Sequence, residues 1–493
     1  GPDVEITVLI FFINICLKCL KITCDRNCPR LESQVSQFHR TSLNLLHQIF
    51  LCPQAPTLAD LQLENFLIDH LMQSLDETDP YVQVLLLDVI FAALKLRNTS
   101  RHKLVPNSSL ECQRIPIVAQ EAPQNSRFSV AVDNSDLHSS SLQILPQNLI
   151  KCIQCGLSAS RTRPVLDSWI SFLTECLQFY TSDIFQILIP LVETLCSQIN
   201  YTFCSLQKTF RKNSSDVTEL HAPDSTLISL LNGLENVLAR GHDRLIQDES
   251  KAVNVKSPDQ AQGLFGNIVS GVFSSETPQL RSITANHRLT VLLTFKDAVK
   301  ICYEIWSWGG DDFSAQDIES ASSFNYTSLR MRNRARRLLE HMFAVEAVGC
   351  LETMVELWRK CSDNLKYSHS PPFFNLLHVL DGSRPKHTIP AIFNAIYSRT
   401  NPSALEPSRI STLTSSLNDI DLTVFLIEYA HTLEDDAMDE IWEDCINFLK
   451  DLLSNPFPHR QILPCLLEFA AILGEKADNT NFGEQLKLRR ELG

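Results

Sequence analysis

Apolar residues recur at three- and four-residue steps along most of this chain, the period of a helix that buries one face. "SQVSQFHRTSLNLLHQIFLC", residues 33–52, is the plainest case. A second helix is predicted over 58–75. A third opens at Asp79 and Pro80, an N-cap followed by proline where the missing N–H costs nothing. Its body, "YVQVLLLDVIFAALKL", is apolar nearly all round, which assigns it to an interior layer. The same period predicts helices over 164–180, 184–210, 225–245, 286–307, 326–361, 421–433, 435–453 and 458–473. Two stretches lack it. Residues 98–142 are rich in Ser, Asn, Gln and Pro and are predicted to be a long polar, disordered loop, and 247–262 a second polar linker. Helical-repeat segments are thus expected over 1–97, 143–246 and 263–493. No strict tetratricopeptide or ankyrin signature occurs. Degenerate helix pairs of roughly 40 residues fit best, so the predicted fold is all-α, an α-solenoid of HEAT- or armadillo-like helical hairpins with long polar loops.

Composition narrows the classes. There are only 14 glycines in 493 residues, against a usual ~7%. Folds that alternate strands with phosphate-cradling loops need glycine at many tight turns. A net charge of −14 argues against wholesale nucleic-acid binding. The 16 cysteines are scattered. Cys176, Cys196, Cys350, Cys445 and Cys465 fall inside apolar helical patterns, where a free thiol acts as a small hydrophobe. A reducing, cytosolic setting follows, and the sequons at Asn98, Asn107, Asn200, Asn213 and Asn325 are then chance matches. The greasiest run, "ITVLIFFINICL" at 6–17, is short of the ~20 residues a membrane span needs. It reads as a buried helix with neighbours upstream. The chain stops at "QLKLRRELG", partway along a helical pattern, so the expectation is a portion of something longer.

Nothing in the chain repeats a nucleotide-binding, zinc-protease or hydrolase motif, so neither a catalytic residue nor a cofactor is assigned. Cys16, Cys19, Cys24 and Cys28 are spaced C-x2-C-x4-C-x3-C. That spacing is too cramped to wrap a structural zinc ion, and no metal is expected. Cys152 and Cys155 lack the strand context a redox pair needs.

Three helical faces remain as contact candidates. In "GLFGNIVSGVFSS", residues 263–275, Leu264, Phe265, Ile268, Val269, Val272 and Phe273 share one half of a helix. Gly, Asn and Ser fill the other half, and 260–275 carries no charge. Such a face binds membrane only by sinking bulky side chains into loosely packed, curved lipid, or it docks on a protein surface. The second is basic: Arg330, Arg332, Arg334, Arg336 and Arg337 within "SLRMRNRARRLLEHMF" could hold anionic head groups or pair with nearby acids. The third, "LEDDAMDEIWEDC", sets acids opposite the apolar stripe Met438, Ile441, Trp442 and Cys445. It reads as a solvated helix, or as a face for a basic protein.

From "LFGNIVSGVFSSETPQLRSITANHRLTVLLTFKDAVKICYEIWSWGG" onward the sequence resembles the Dopey family in its filamentous-fungal form. "LLHVLDGSRPKHTIPAIFNAIYSRTNP" and "NPFPHRQILPCLLEFAAILGEKADNTNFGEQLKLRREL" extend the likeness over about 263–493. Before that, only the helical pattern continues. The resemblance implies an internal portion of a very large cytosolic protein, peripheral on Golgi and endosomal membranes. It implies a non-enzymatic scaffold in endosome-to-Golgi traffic, with effects on fungal cell polarity. The implied partners are a large helical scaffold related to Arf exchange factors and a phospholipid flippase; curved or anionic membrane is a further candidate partner, from the uncharged and basic faces above. The alternative from the residues themselves is a protein-binding solenoid with no lipid contact.

Overall fold

The computed structural model describes residues 2–22, 29–76, 79–104, 145–180, 183–211, 223–254, 278–308, 318–364, 373–380, 384–405, 417–434 and 437–479. Among them there is no strand. The chain divides into two compact units, Gly1–Tyr180 and Thr181–Gly493.

The first unit holds α1 (Pro2–Leu20), α2 (Pro29–Leu51), α3 (Leu63–Ser74), α4 (Pro80–Leu104), α5 (Asn148–Ser158) and α6 (Leu166–Cys176). Helices α2, α4 and α6 lie side by side in one row, and α3 and α5 form a second row against it. The apolar α4 is the interior element, touching α2, α3 and α6, with Leu86, Val89 and Ile90 fully buried. Its one buried polar side chain that crosses the layers is Gln83. The Gln83 amide donates to the Ser74 carbonyl on α3 (3.2 Å), and its Oε1 accepts from Trp169 Nε1 on α6 (3.2 Å). A buried amide placed this way costs little because both ends are satisfied. Trp169 lies against Gly156 of α5, where a side chain would have no room. Exposure marks the outer side of α1, where Phe11 and Phe12 face solvent.

The second unit runs α7 (Ile184–Arg211), α8 (Pro223–Asn254), α9 (Pro278–Trp306), α10 (Ile318–Val345), α11 (Ala347–Asn364), α12 (Phe373–Val379), α13 (Pro385–Thr400), α14 (Asp419–Thr432), α15 (Met438–Ser454) and α16 (Leu463–Asn479). Again there are two rows. Helices α7, α9, α11, α13 and α15 pack in succession, and α8 on α10 and α14 on α16 build the facing row. Contacts within one seam keep a near-constant sequence offset. Arg288 reaches Glu346 and Tyr303 reaches Cys361, both 58 residues on, while Lys296 reaches Glu356 at 60. Further along, Tyr397 reaches Asp451 at 54. Row neighbours therefore run parallel, as stacked helical hairpins do. The repeat at these seams is longer than the roughly 40 residues expected from the pattern.

Several boundaries differ from the sequence reading, each for a local reason. The helix expected over 58–75 is a 3₁₀ segment, Ala55–Leu61, and α3, parted by Gln62 in the left-handed region (φ 47°). The stretch 326–361 is two helices that meet at Glu346, where Arg288 bridges from α9. α4 runs seven residues into the loop predicted from 98, helped by Thr99 bonding back to the Lys95 carbonyl. α8 runs to Asn254 rather than stopping near 245, its end tied to α9 through Glu249 and Arg288 (3.1 Å). The polar linker expected from 247 is thus helical through 254. α5, α12 and α13 lie inside segments expected to be helical, but the period did not single them out as helices.

Candidate functional site

The five arginines lie on α10, and the structure gives four of them partners inside the fold. Arg330 pairs with Asp224 in the first turn of α8 (2.8 Å). One turn on, Arg334 binds Asn232 Oδ1 (2.8 Å) and the Glu235 carboxylate, which His341 also contacts. These bonds fasten two row neighbours, α10 to α8. On the other flank, Arg332 lies over the Trp306 indole at the end of α9 (4.5 Å), a cation–π contact. Arg336 faces Glu340 one turn away (3.6 Å) and donates to the Val379 carbonyl at the end of α12 (3.4 Å). Only Arg337 is exposed with no ion pair among the described residues. The cluster is chiefly a set of staples, and the charge left for an outside anion is Arg337 with half-exposed Arg330.

Helix α11 carries a second ladder that the sequence did not announce. Glu356 takes Lys296 of α9 (2.8 Å), Glu352 takes Arg399 of α13 (3.1 Å), and Arg359 takes Asp421 of α14 (2.6 Å). The Glu352 side chain is 1% exposed, and its Oε2 has no hydrogen-bond partner among the described residues. Arg399 also donates to the Ala395 and Leu417 carbonyls, so the guanidinium is held on three sides. Asp421 doubles as half of a capping box with Asn418 that starts α14. No signal in a lone helix tells which of its acids faces the next repeat.

A concave site lies between α4 and α6 in the first unit, with about 240 Å³ of space. Val84, Leu87, Phe91 and Phe172 make its apolar lining, and Asp88, Asp167 and Glu175 bring three carboxylates. Burial pushes the Asp88 carboxyl up, and His47 offsets part of that. A groove of this kind accommodates a cationic side chain whose stem lies along the rings. Its trace in the sequence is Asp88, a solitary charge within an apolar run.

The remaining sequence candidates resolve as follows. Leu264, Phe265, Ile268, Val269, Val272 and Phe273 lie outside the described residues, as does the whole of 263–275. On α15, Met438, Ile441, Trp442 and Cys445 are buried and Glu440, Glu443 and Asp444 exposed, the solvated acidic helix that the pattern describes. The described cysteines are free thiols. Burial pushes Cys152, Cys196 and Cys445 up to about 12, which keeps them protonated and inert at neutral pH. Among the described residues no cluster could hold a metal ion, and no helix is long and apolar enough to cross a membrane.

Paired helices that pack on their sequence neighbours, with charges spent on joining repeats, define an all-α helical-repeat protein. Residues 56–239 match the model of the DOP1 TPR domain, and residues 425–493 match that of the DOP1 C-terminal region. Protein dop1 of Emericella nidulans is 48% identical over 465 residues, 93% of this chain and 24% of that protein. Protein DOP1 of Saccharomyces cerevisiae is 27% identical over 354 residues, 68% of this chain and 20% of that protein. The chain belongs to the DOP1, or Dopey, family. The likeness reaches well ahead of residue 263, where the sequence resemblance began, and the chain spans a quarter or less of these relatives. A solved circular tandem repeat protein aligns over 100% of this chain and 95% of its own at 11% identity and a TM-score of 0.29, too low to support any argument.

Proposed function

We propose that the chain is a section of a large non-enzymatic scaffold in endosome-to-Golgi traffic, peripheral on the cytoplasmic side of those membranes. The observation that carries this reading is family membership, 48% identity sustained over 93% of the chain. The fold supports it, because rows of stacked helices offer long outer faces to other proteins. The proposed partners are a large helical scaffold related to Arf exchange factors and a phospholipid flippase. Membrane contact is assigned to Leu264, Phe265, Ile268, Val269, Val272 and Phe273. A role in fungal cell polarity follows from cargo sorting of this kind.

A second reading, a protein-binding array without lipid contact, draws support from the arginines, since four of five are committed within the fold. Flotation separates the two. The purified chain is mixed with small, loosely packed vesicles and with large, tightly packed ones, at low and high salt, beside Phe265→Asp. Binding to the small vesicles that survives salt and is lost in Phe265→Asp supports the membrane reading. No binding to any vesicle sinks it and leaves the protein-binding array. Co-purification with the two proposed partners tests the scaffold itself, and failure to recover either would overturn that assignment.

A further inference from the structure

The hairpin of α1 and α2 bares apolar surface on a scale the other helices do not. Of the 24 exposed large hydrophobic side chains among the described residues, nine lie within residues 2–51. Four of them make one stripe on α1. Val8, Phe11, Phe12 and Ile15 fall within about 100° of one another at 100° per residue, and Phe11 is 61% exposed. Ile13, Cys16 and Leu20 occupy a separate arc of the same helix and are buried, and α2 is the helix on which α1 packs. α1 therefore has two apolar faces, of which one is covered by the described helices.

α4 shows where such a helix belongs. It too is apolar nearly all round, but it lies between α2 and α6 with α3 against it. Past Tyr81 in its first turn, none of its described large apolar side chains is exposed. A helix apolar on every side is an interior element, and α1 has that pattern with half of the covering. α2 repeats the picture. Its row neighbour is α4, on one flank, and Leu31, Phe38 and Leu45 stay exposed at seven-residue steps along one edge. A repeat that closes an array turns a polar face to water. This one does not: between Glu5 and Lys18 α1 carries no charge.

We propose that the bare faces of α1 and α2 are a stacking seam, and that its occupant is another helical hairpin of the same polypeptide, one with an uncharged apolar stripe of its own. Size selects this occupant. A stable interface between separate proteins engages roughly 20–30 residues a side, and the two stripes offer four side chains on α1 and three on α2. A hairpin in the same polypeptide needs far less, because its tether holds it near the seam at millimolar effective concentration. Charge agrees, since a face without cations gains no electrostatic help toward anionic lipid. Relatives have the length to supply the hairpin: the stretch aligned with this chain is 24% of the Emericella protein.

Photocrosslinking in the full-length gene product that carries residues 1–493 tests the seam. p-Benzoylphenylalanine replaces Phe11 or Phe38, the purified protein is irradiated, and the joined peptides are mapped by mass spectrometry. Both positions are expected to join a segment of the same polypeptide outside residues 1–493, in a product with the mass of one chain. The same probe at Glu440, exposed on α15, is expected to join nothing above background. Amide exchange gives a second readout that needs no substitution: α1 should exchange at least tenfold more slowly in the full-length product than in the chain of residues 1–493. A product of doubled mass, a crosslink to lipid or to another protein, no crosslink at Phe11 or Phe38, or equal exchange rates for α1 would overturn the proposal.

Discussion

Two glycines in helix interiors give opposite answers to one substitution. Alanine is favoured over glycine in a helix by about 1 kcal/mol, so propensity alone predicts that Gly156→Ala and Gly474→Ala both stabilise. At Gly474 a new Cβ would meet nothing within 4 Å, and the gain of about 0.5–1 kcal/mol should appear in full. At Gly156 the Cβ would enter the six-membered ring of Trp169 far inside 3.0 Å, a separation real Cβ atoms essentially never breach. That ring is fully buried and cannot flex as an aliphatic tip can. Overpacking of this kind costs about 3 kcal/mol at the upper end of its range. Moving the indole also breaks its bond to Gln83 Oε1, a further ~1 kcal/mol. Less the propensity gain, Gly156→Ala should destabilise the first unit by about 3 kcal/mol. For a domain of that size the melting transition falls by roughly 6–12 °C. Urea and thermal unfolding, followed by near-ultraviolet circular dichroism and tryptophan fluorescence, resolve the loss, with a separate transition allowed for each unit. Gly241→Ala is the intermediate case, since it meets only the branch tip of Leu188 at 2.8 Å. A Gly156→Ala chain as stable as the parent, with its Trp169 signal intact, would refute the close-approach argument.

Other outcomes follow from the buried charges. Arg399→Ala strands Glu352, 1% exposed, without its cation and should cost about 3–5 kcal/mol by urea unfolding of the second unit; a loss under 1 kcal/mol would count against a buried pair. Arg334→Glu should destabilise, and adding Glu235→Arg should restore at least half the loss; no coupling in that double-mutant cycle would dissolve the staple between α8 and α10. His70, held between Phe66 and His39, is pushed down to about 4 by burial, with the His39 charge adding to the shift. Its unfolded form takes a proton first as pH falls, so its contribution is complete above about 6.5 and is lost on the way down to about 4, on the order of 3 kcal/mol. His70→Phe should flatten stability across that window, and an unchanged pH slope would rule His70 out as its source.

Much of this architecture is legible because it rests on the 3.6-residue period. The interior character of α4 and the buried stripe of α15 come straight from the spacing of Leu, Ile and Val. What the period does not carry is direction. Across Glu346 the apolar pattern runs on unbroken while the chain starts a new helix, because the turn is imposed by packing on α9. Gln62 adopts a left-handed conformation without the glycine that announces one. α13 escaped notice because Pro385 and Pro390 punctuate it, yet Pro385 sits in the first turn, where no N–H is needed. The arginines of α10 were visible as a cluster, but their partners Asp224 and Glu235 lie 106 and 99 residues away. Nothing local distinguishes a staple from a free patch, and the groove between α4 and α6 unites acids nearly 80 residues apart. Such sites are properties of stacking.

The habit of the described helices to pack chiefly on their near neighbours in sequence bears on how the chain is made. α4 needs α2 and α3, α9 needs α7 and α8, and α16 needs α14 and α15, all of which leave the ribosome first. Among the described helices no early one waits on a distant late one to bury its apolar face, as strands of a mixed sheet often must. The seams can close in the order of synthesis, so a chain halted midway already holds its finished repeats shut, with only the newest helix face bare.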